Sequence, residues 1–345
     1  MRKILLFLLV LIFGRCYSQR TKLLPLIVAF YNSENFYDTI NNTMIRDEDF
    51  LEDGAHLYNG KVYKEKLDHI AQVLHDIGID QQKAGFSFIG LAEIENDTVL
   101  NDLVQHPLLK ERKLQFVHFD SKDARGVDVA LIFNPLFFKV EKAYPIYVPH
   151  PNGSKQAHFT RDILYVKGKL CNETIHIYVN HWPSRYGGQQ KSIAARNSAA
   201  IVLKKNINTI LNYNSMAKII VMGDLNDDPK DESIYNTLRA VELTKLSDSN
   251  YLYNPWIEKL KKGRGTLAYQ NTWSLFDQII VTKNWISPNQ KLYYKSASIF
   301  RPNYLVEQSG NLKGYPLRTF SGNNFQYGYS DHFPVFVTLL YALEK

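Results

Sequence analysis

Residues 219–227 read IIVMGDLND: an apolar run that stops at a glycine and then delivers an acid, an amide and a second acid within four positions. The run is short and rich in isoleucine and valine, which predicts a strand. A strand that carries Asp224, Asn226 and Asp227 at its tip is a costly way to make ordinary surface, because carboxylates at the end of a buried element need partners.

Working outward, the same arrangement recurs along the chain. Asn32 follows the apolar run 26–31 in AFYNSENF, and Glu93 and Glu95 follow 86–91 in GLAEIEN. Asn180 and His181 end 174–180 in YVNHWPSR, Asp277 lies in SLFDQIIV around 276–281, and Asp331 with His332 leads into 335–340 in YSDHFPVFV. A further run, 127–133, belongs to RGVDVALIF. Each signal alone is weak, and their joint occurrence beside strand after strand carries the reading. Several converging carboxylates imply a cation, and Asp, Glu and Asn oxygens suit Mg²⁺, with Mn²⁺ or Ca²⁺ as alternatives. The chain has neither a zinc-type cysteine pair nor a His-Glu-x-x-His segment, which disfavours a zinc hydrolase.

Helical patterns lie between some of these strands. Tyr63, Leu67, Ile70, Leu74 and Ile77 step by three and four toward a stop at Gly78. A second helix is expected over 190–211, with Ile193, Ala200, Leu203, Ile207 and Ile210 inward. Strands and helices without strict alternation suggest packed sheets with helices outside. Residues 41–60 and 247–265 read as long surface loops.

The joint pattern resembles the endonuclease/exonuclease/phosphatase superfamily of deoxyribonuclease-like, metal-dependent phosphoesterases, over about residues 26–340. GDLND is similar to its Gly-Asp-x-Asn motif and SDH to its terminal Ser-Asp-His. NHWPSR and WSLFDQI are similar to its bacterial extracellular branch. The resemblance implies an α/β four-layer sandwich: two packed mixed β-sheets flanked by helices on both outer faces. It also implies Glu93, Asn32 and Asp331 around the metal, and His332, oriented by Asp277, taking a proton from the attacking water. Asp224 and Asn226 would position water and phosphate. His181 would either donate to the phosphate or protonate the leaving oxygen, and Asn180 would contact phosphate. Arg185 is either a phosphate clamp, as its planar fork suits, or an exposed loop residue. Arg125 and Asp128 are expected to pair structurally, and Glu95 and Asp227 to stand behind the site.

The N-terminus is a separate element. Arg2 and Lys3, the apolar run 4–13 and a small residue at Ser18 predict a secretory leader over 1–18, followed by one domain over 19–345. The protein is thus expected to be exported: secreted, periplasmic or on the cell surface. Removing the leader takes the net charge from +7 to +4, mildly basic, as suits an anionic substrate. Arg15 makes Cys16 a poor lipid-attachment site, and Cys171 would then stand alone as a small apolar filler. No later run is long enough to span a membrane, and no obligate protein partner is evident. The basic residues Lys259, Lys261, Lys262 and Arg264 beside Tyr253 and Trp256 could attract a nucleic-acid strand, although a solvated loop is the simpler reading. The acidic run 47–53 reads as a solvated face. The function expected is hydrolysis of a phosphodiester, a nuclease first. The alternatives are a small-molecule phosphatase, a sphingomyelinase-like lipid phosphodiesterase, or a non-catalytic binding module of the same fold.

Overall fold

Every residue of 26–31 is apolar, so alternate side chains bury on opposite faces: Leu26, Val28 and Phe30 on one, Ile27, Ala29 and Tyr31 on the other. They belong to β1, Leu23–Phe36, in the interior of a six-stranded sheet. The computed structural model describes residues 22–149, 160–248 and 250–343; the expected leader and Cys16 lie outside the described residues. The remaining sandwich strands are β2 (Phe88–Ile94), β3 (Gln115–His118), β4 (Asp128–Phe133), β5 (Phe138–Ile146), β6 (Ile163–Leu170) and β7 (Glu173–His181). They continue with β8 (Lys218–Asp224), β9 (Ala240–Val241), β10 (Leu252–Tyr253), β11 (Asp277–Thr282), β12 (Leu292–Ile299) and β13 (Val335–Ala342).

One sheet runs β12-β13-β1-β2-β4-β3 and the other β5-β6-β7-β8-β11-β10-β9. Both are mixed: β1 pairs with β2 and β7 with β8 in parallel, whereas β1–β13 and β8–β11 are antiparallel. The layer between the sheets holds Val28, Phe30 and Phe88 against Val179, Ile220, Met222 and Ile279. Helices α1 (Gly60–Asp76) and α2 (Asp97–Gln105) cover the outer face of the first sheet, through Ile70, Val73, Leu74, Leu100 and Leu103. Helix α3 (Gln189–Tyr213) covers the second sheet with Ala199, Ala200, Leu203 and Ile207. The expected four layers are present. Each fully buried aliphatic or aromatic side chain contributes about 1.5–3 kcal/mol, so the stacked layers supply most of the stability.

Two glycines set how closely strands approach. A Cβ on Gly90 of β2 would stand 2.7 Å from Met222 Sδ and 2.9 Å from Val179 Cγ1, so any side chain there would push the sheets apart. A Cβ on Gly223 would lie 2.3 Å from the Asn180 carbonyl oxygen, so the glycine before Asp224 keeps β7 and β8 together where their polar tips emerge.

Two expectations needed correction, and one helix had given no signal. Residues 247–265 are not simply a loop: they contain β10 and a short helix, α4 (Trp256–Lys261), anchored by the fully buried Trp256, whose Nε1 donates to the Ile279 carbonyl at 3.0 Å. Helix α3 turns Arg196 fully inward, whereas Ile193 and Ile210 are only half-buried. Helix α2 was not anticipated, because its nine residues hold little more than two turns of the apolar spacing; Asn96 caps it by accepting from the Thr98 and Val99 amides.

Candidate active site

Sheet register brings the polar tips together. In the parallel β7–β8 pair His181 stands beside Asp224, and in the antiparallel β8–β11 pair Asp277 stands on its other side. From the facing sheet, Asn32 of β1 donates its amide Nδ2 to Asp224 Oδ2 at 3.0 Å. The same oxygen lies 3.7 Å from His181 Nε2 and 3.9 Å from His332 Nε2. His332 donates from Nδ1 to Asp277 Oδ2 at 2.7 Å, while its Nε2 is 3.8 Å from Asp331 Oδ1. Glu93 Oε1 is 3.8 Å from His181 Nε2, and its Oε2 accepts from the Asn35 amide at 2.8 Å. One carboxylate oxygen thus has two imidazole tips and an amide converging on it.

The backbone is strained here. Glu34, Asn35, Glu93 and Asn226 all adopt φ between +50° and +62°, a conformation non-glycine residues avoid unless their surroundings enforce it. Asn226 is held by donating Nδ2 to the Trp182 carbonyl at 2.9 Å and its own amide to Asp224 Oδ1 at 3.0 Å.

Charge is crowded. Burial pushes the Asp224 carboxyl up to about 6, with the neighbouring Asp277 adding to the effect and His332 opposing it. Burial alone would depress His332, yet Asp277, Asp331 and Asp224 outweigh it and raise the imidazole well above its usual range. His181 goes the other way: burial, Arg161, Arg125 and His332 all push it well below, so it stays neutral. Asp277 Oδ1 and His181 Nδ1 are buried with no hydrogen-bond partner. Asp224, Asp277 and His332 each place a ligand atom within 4.8 Å of the others. A buried acid/histidine cluster with an unspent Asp277 oxygen and the Asp224 carboxyl pushed upward is consistent with a divalent cation beside it, which would relieve the crowded charge.

Not every expected residue faces this centre. The Asn180 amide, expected at the phosphate, is spent inside the fold instead. Its Nδ2 donates to the Tyr178 and Met222 carbonyls, and its Oδ1 accepts from Trp182 Nε1 at 3.1 Å. Arg185 is not a free loop residue: it donates to Asp227 at 3.1 Å, to Asp231 at 2.5 Å and to the Asn226 carbonyl at 2.9 Å, over the Phe276 ring. Asp227 is further committed to Arg196 at 2.7 Å, and Glu95 Oε2 accepts from the Asp38 amide at 2.7 Å. Arg125 and Asp128 do not pair. Asp128 accepts from the Ser121 amide, while Arg125 lies 3.8 Å from Asp123 and is raised by Glu93 and Asp123, whose attraction outweighs its burial.

The structure adds residues that the sequence patterns missed. Glu34 Oε2 accepts from the Thr319 amide at 2.7 Å, and burial, then Asp331, pushes its carboxyl up to about 7. Lys66, fully buried, donates to Thr319 Oγ1 and to the Tyr329 carbonyl. Arg318 donates to Asp331 Oδ2 at 3.1 Å. Arg161 bridges Asp123 and the His181 and Trp182 carbonyls. Glu34 was discoverable beside Asn32, whereas Lys66 sits in a helical pattern that shows no polar core face.

A model of the Endonuclease/Exonuclease/phosphatase family matches residues 27–341. The chain belongs to that family. Its members are hydrolases acting on phosphoester bonds, and the buried cluster sits where GDLND, FDQIIV and SDH meet. Among solved structures, the family's fold is shared with an endonuclease/exonuclease/phosphatase family protein from Bacteroides thetaiotaomicron (16% identity, 94% of this chain and 98% of that one, TM-score 0.58). A mannosyl-6-phosphatase from Bacteroides thetaiotaomicron is similar as well (16% identity, 91% and 99% covered, TM-score 0.56). So is TDP2 of D. rerio complexed with a single-strand DNA product (13% identity, 91% and 98% covered, TM-score 0.54). No curated protein matches the chain. Among the described residues no helix is long and apolar enough to cross a membrane.

Proposed function

We propose that the chain is an exported, divalent-metal-dependent nuclease of the family's bacterial extracellular branch, cleaving phosphodiesters by in-line attack of water. The observation that carries the nuclease reading is a pair of cationic clefts, one touching His181 and the other touching the residue after His332. One, of about 550 Å³, is lined by Arg46, Arg125, Arg161, Tyr186 and Lys191 and adjoins His181 through Arg161. The other, of about 640 Å³, is lined by Lys259, Lys262, Arg264, Trp273, Arg301 and Lys313; its Arg301 lies over Phe333, the residue after His332. Two basic clefts that each reach a neighbour of the catalytic histidines suit a polyanion that continues beyond the scissile bond.

A bound Mg²⁺, Mn²⁺ or Ca²⁺ would be held by Glu93, Asn32 and Asp331, and would neutralise charge developing on the phosphate oxygens. The chain's own groups divide the rest. His332, oriented by Asp277 through Nδ1, takes the proton of the attacking water at Nε2, and a cation beside it would offset the carboxylates that otherwise hold the ring protonated. Asp224, whose Oδ2 lies between both imidazole tips, positions that water together with Asn226. Neutral His181 donates a hydrogen bond to the phosphate, and the leaving oxygen takes its proton from solvent.

The phosphatase reading is favoured by the likeness to a mannosyl-6-phosphatase. The test is hydrolysis of plasmid DNA, RNA, bis-nitrophenyl phosphate, a sugar phosphomonoester and sphingomyelin by purified mature protein, with metal or chelator and with His332→Ala. Metal-dependent plasmid nicking, steeply reduced by salt and lost in the variant, is expected. Turnover confined to the monoester or the lipid would overturn the nuclease reading and keep the site. No turnover on any substrate would overturn both.

A further inference from the structure

We propose that His118, Asp120 and Asp128 form a second divalent-metal site, zinc-like in its ligand chemistry, that pins the loop between β3 and β4. His118 ends β3, Asp128 begins the antiparallel β4, and Asp120 lies in the connecting segment. One ligand atom from each lies within 4.8 Å of the other two. None of the three belongs to the catalytic cluster.

The imidazole supplies the independent observation. The His118 side chain is 2% exposed, and its Nε2 is buried with no hydrogen-bond partner. That nitrogen faces Asp128 Oδ2 at 4.0 Å, too far for a hydrogen bond. Were His118 simply a cation between two acids, its Nε2 proton would have no acceptor. Its other nitrogen is engaged: Nδ1 meets Asp97 Oδ1 at 2.9 Å. An N–H donated to a carboxylate from one ring nitrogen leaves the other as a lone pair, the arrangement that orients metal-bound histidines. Asp128 is prepared in the same way, since its Oδ1 accepts from the Ser121 amide at 3.1 Å and holds the carboxylate in place.

One imidazole and two carboxylates, with water completing the shell, suit a zinc-like ion better than Mg²⁺, which prefers six oxygens. Bonds of about 2.0–2.2 Å put tetrahedral ligand atoms roughly 3.4 Å apart. The His118–Asp128 pair at 4.0 Å therefore has to close by about 0.6 Å, and exposed Asp120, within 4.8 Å of both, has to move in by up to about 1.4 Å. The loop so fixed carries Asp123, which holds Arg161 at 3.0 Å, and Arg125, whose carbonyl accepts from Tyr37. The ion would thus brace one wall of the cleft beside His181, acting by position and taking no part in bond breaking.

The test is zinc titration of the chelator-stripped full chain in excess Mg²⁺, with bound zinc counted by elemental analysis. One tightly held zinc per chain is expected, weakened at least about tenfold in Asp120→Asn and His118→Gln. It should be retained in a Glu93→Gln/His332→Ala double variant, in which the catalytic centre is dismantled. Because Asp120 is exposed, its variant keeps the fold even if the His118 variant does not. Zinc affinity unchanged in Asp120→Asn, or lost only in the catalytic double variant, would overturn the proposal. So would a wild type that holds no zinc against Mg²⁺.

Discussion

His332 Nδ1 and Asp277 Oδ2 lie 2.7 Å apart in a buried pair, and Asp277 is the first residue of a strand locked beside Asp224. The sheet therefore fixes the imidazole's orientation and its charge together. Asp277→Asn keeps the shape but removes the charge, so kcat on bis-nitrophenyl phosphate should fall roughly 10³–10⁴-fold with little change in melting temperature. The His332 pKa, followed by NMR, should drop at the same time. An activity within threefold of wild type would disprove the dyad.

Arg185 should behave as a structural residue. Its donors go to Asp227, Asp231 and the Asn226 carbonyl, none of which needs a substrate. Arg185→Ala is expected to cost about 1–3 kcal/mol in denaturant melts, with KM shifted less than threefold. A large rise in KM at unchanged stability would restore it as a phosphate clamp.

Lys66 is the strongest stability prediction. Fully buried, it donates to Thr319 and Tyr329 and supplies positive charge to Glu34; burial lowers its own pKa to about 8. Lys66→Met strands those acceptors and should destabilise by about 3–5 kcal/mol. A loss below about 1 kcal/mol in urea unfolding would show that this polar knot contributes little.

His176 gives a pH signature away from the site. It accepts from the Tyr165 hydroxyl at 2.7 Å, and burial, aided by Lys167, lowers it from 6.5 to about 4. The folded state thus binds fewer protons than the unfolded chain in that window. Stability is full above pH 6.5 and falls as pH drops toward 4, by about 2 kcal/mol after allowance for solvent screening. His176→Gln should flatten the pH 4–6.5 part of the stability curve. An identical slope in both proteins would assign it to other groups.

The strands and their polar tips were legible because each tip follows an apolar run, as with Met222–Asp224 and Val179–His181. Local pattern fixes that a side chain leaves a strand end, but not what it then meets. Asn180 was expected outside and points inward, because Trp182 and β8 take its amide. Arg185 looked free because its acidic partner Asp231 lies 46 residues away. Lys66 was invisible for a related reason: its acceptors, Thr319 and Tyr329, come from a loop more than 250 residues downstream. The charge of His332 likewise depends on three carboxylates that only the folded chain assembles.

His181, Asp224 and Asp277 are adjacent rungs of one ladder, joined by the pairings that hold β7, β8 and β11 in register. No hinge separates this row from the frame around it. Amide exchange at these three positions should need opening of the whole sheet, and heat inactivation should track loss of the fold. Variation in substrate preference would then fall to the loops at the rim, which can be exchanged without disturbing the row.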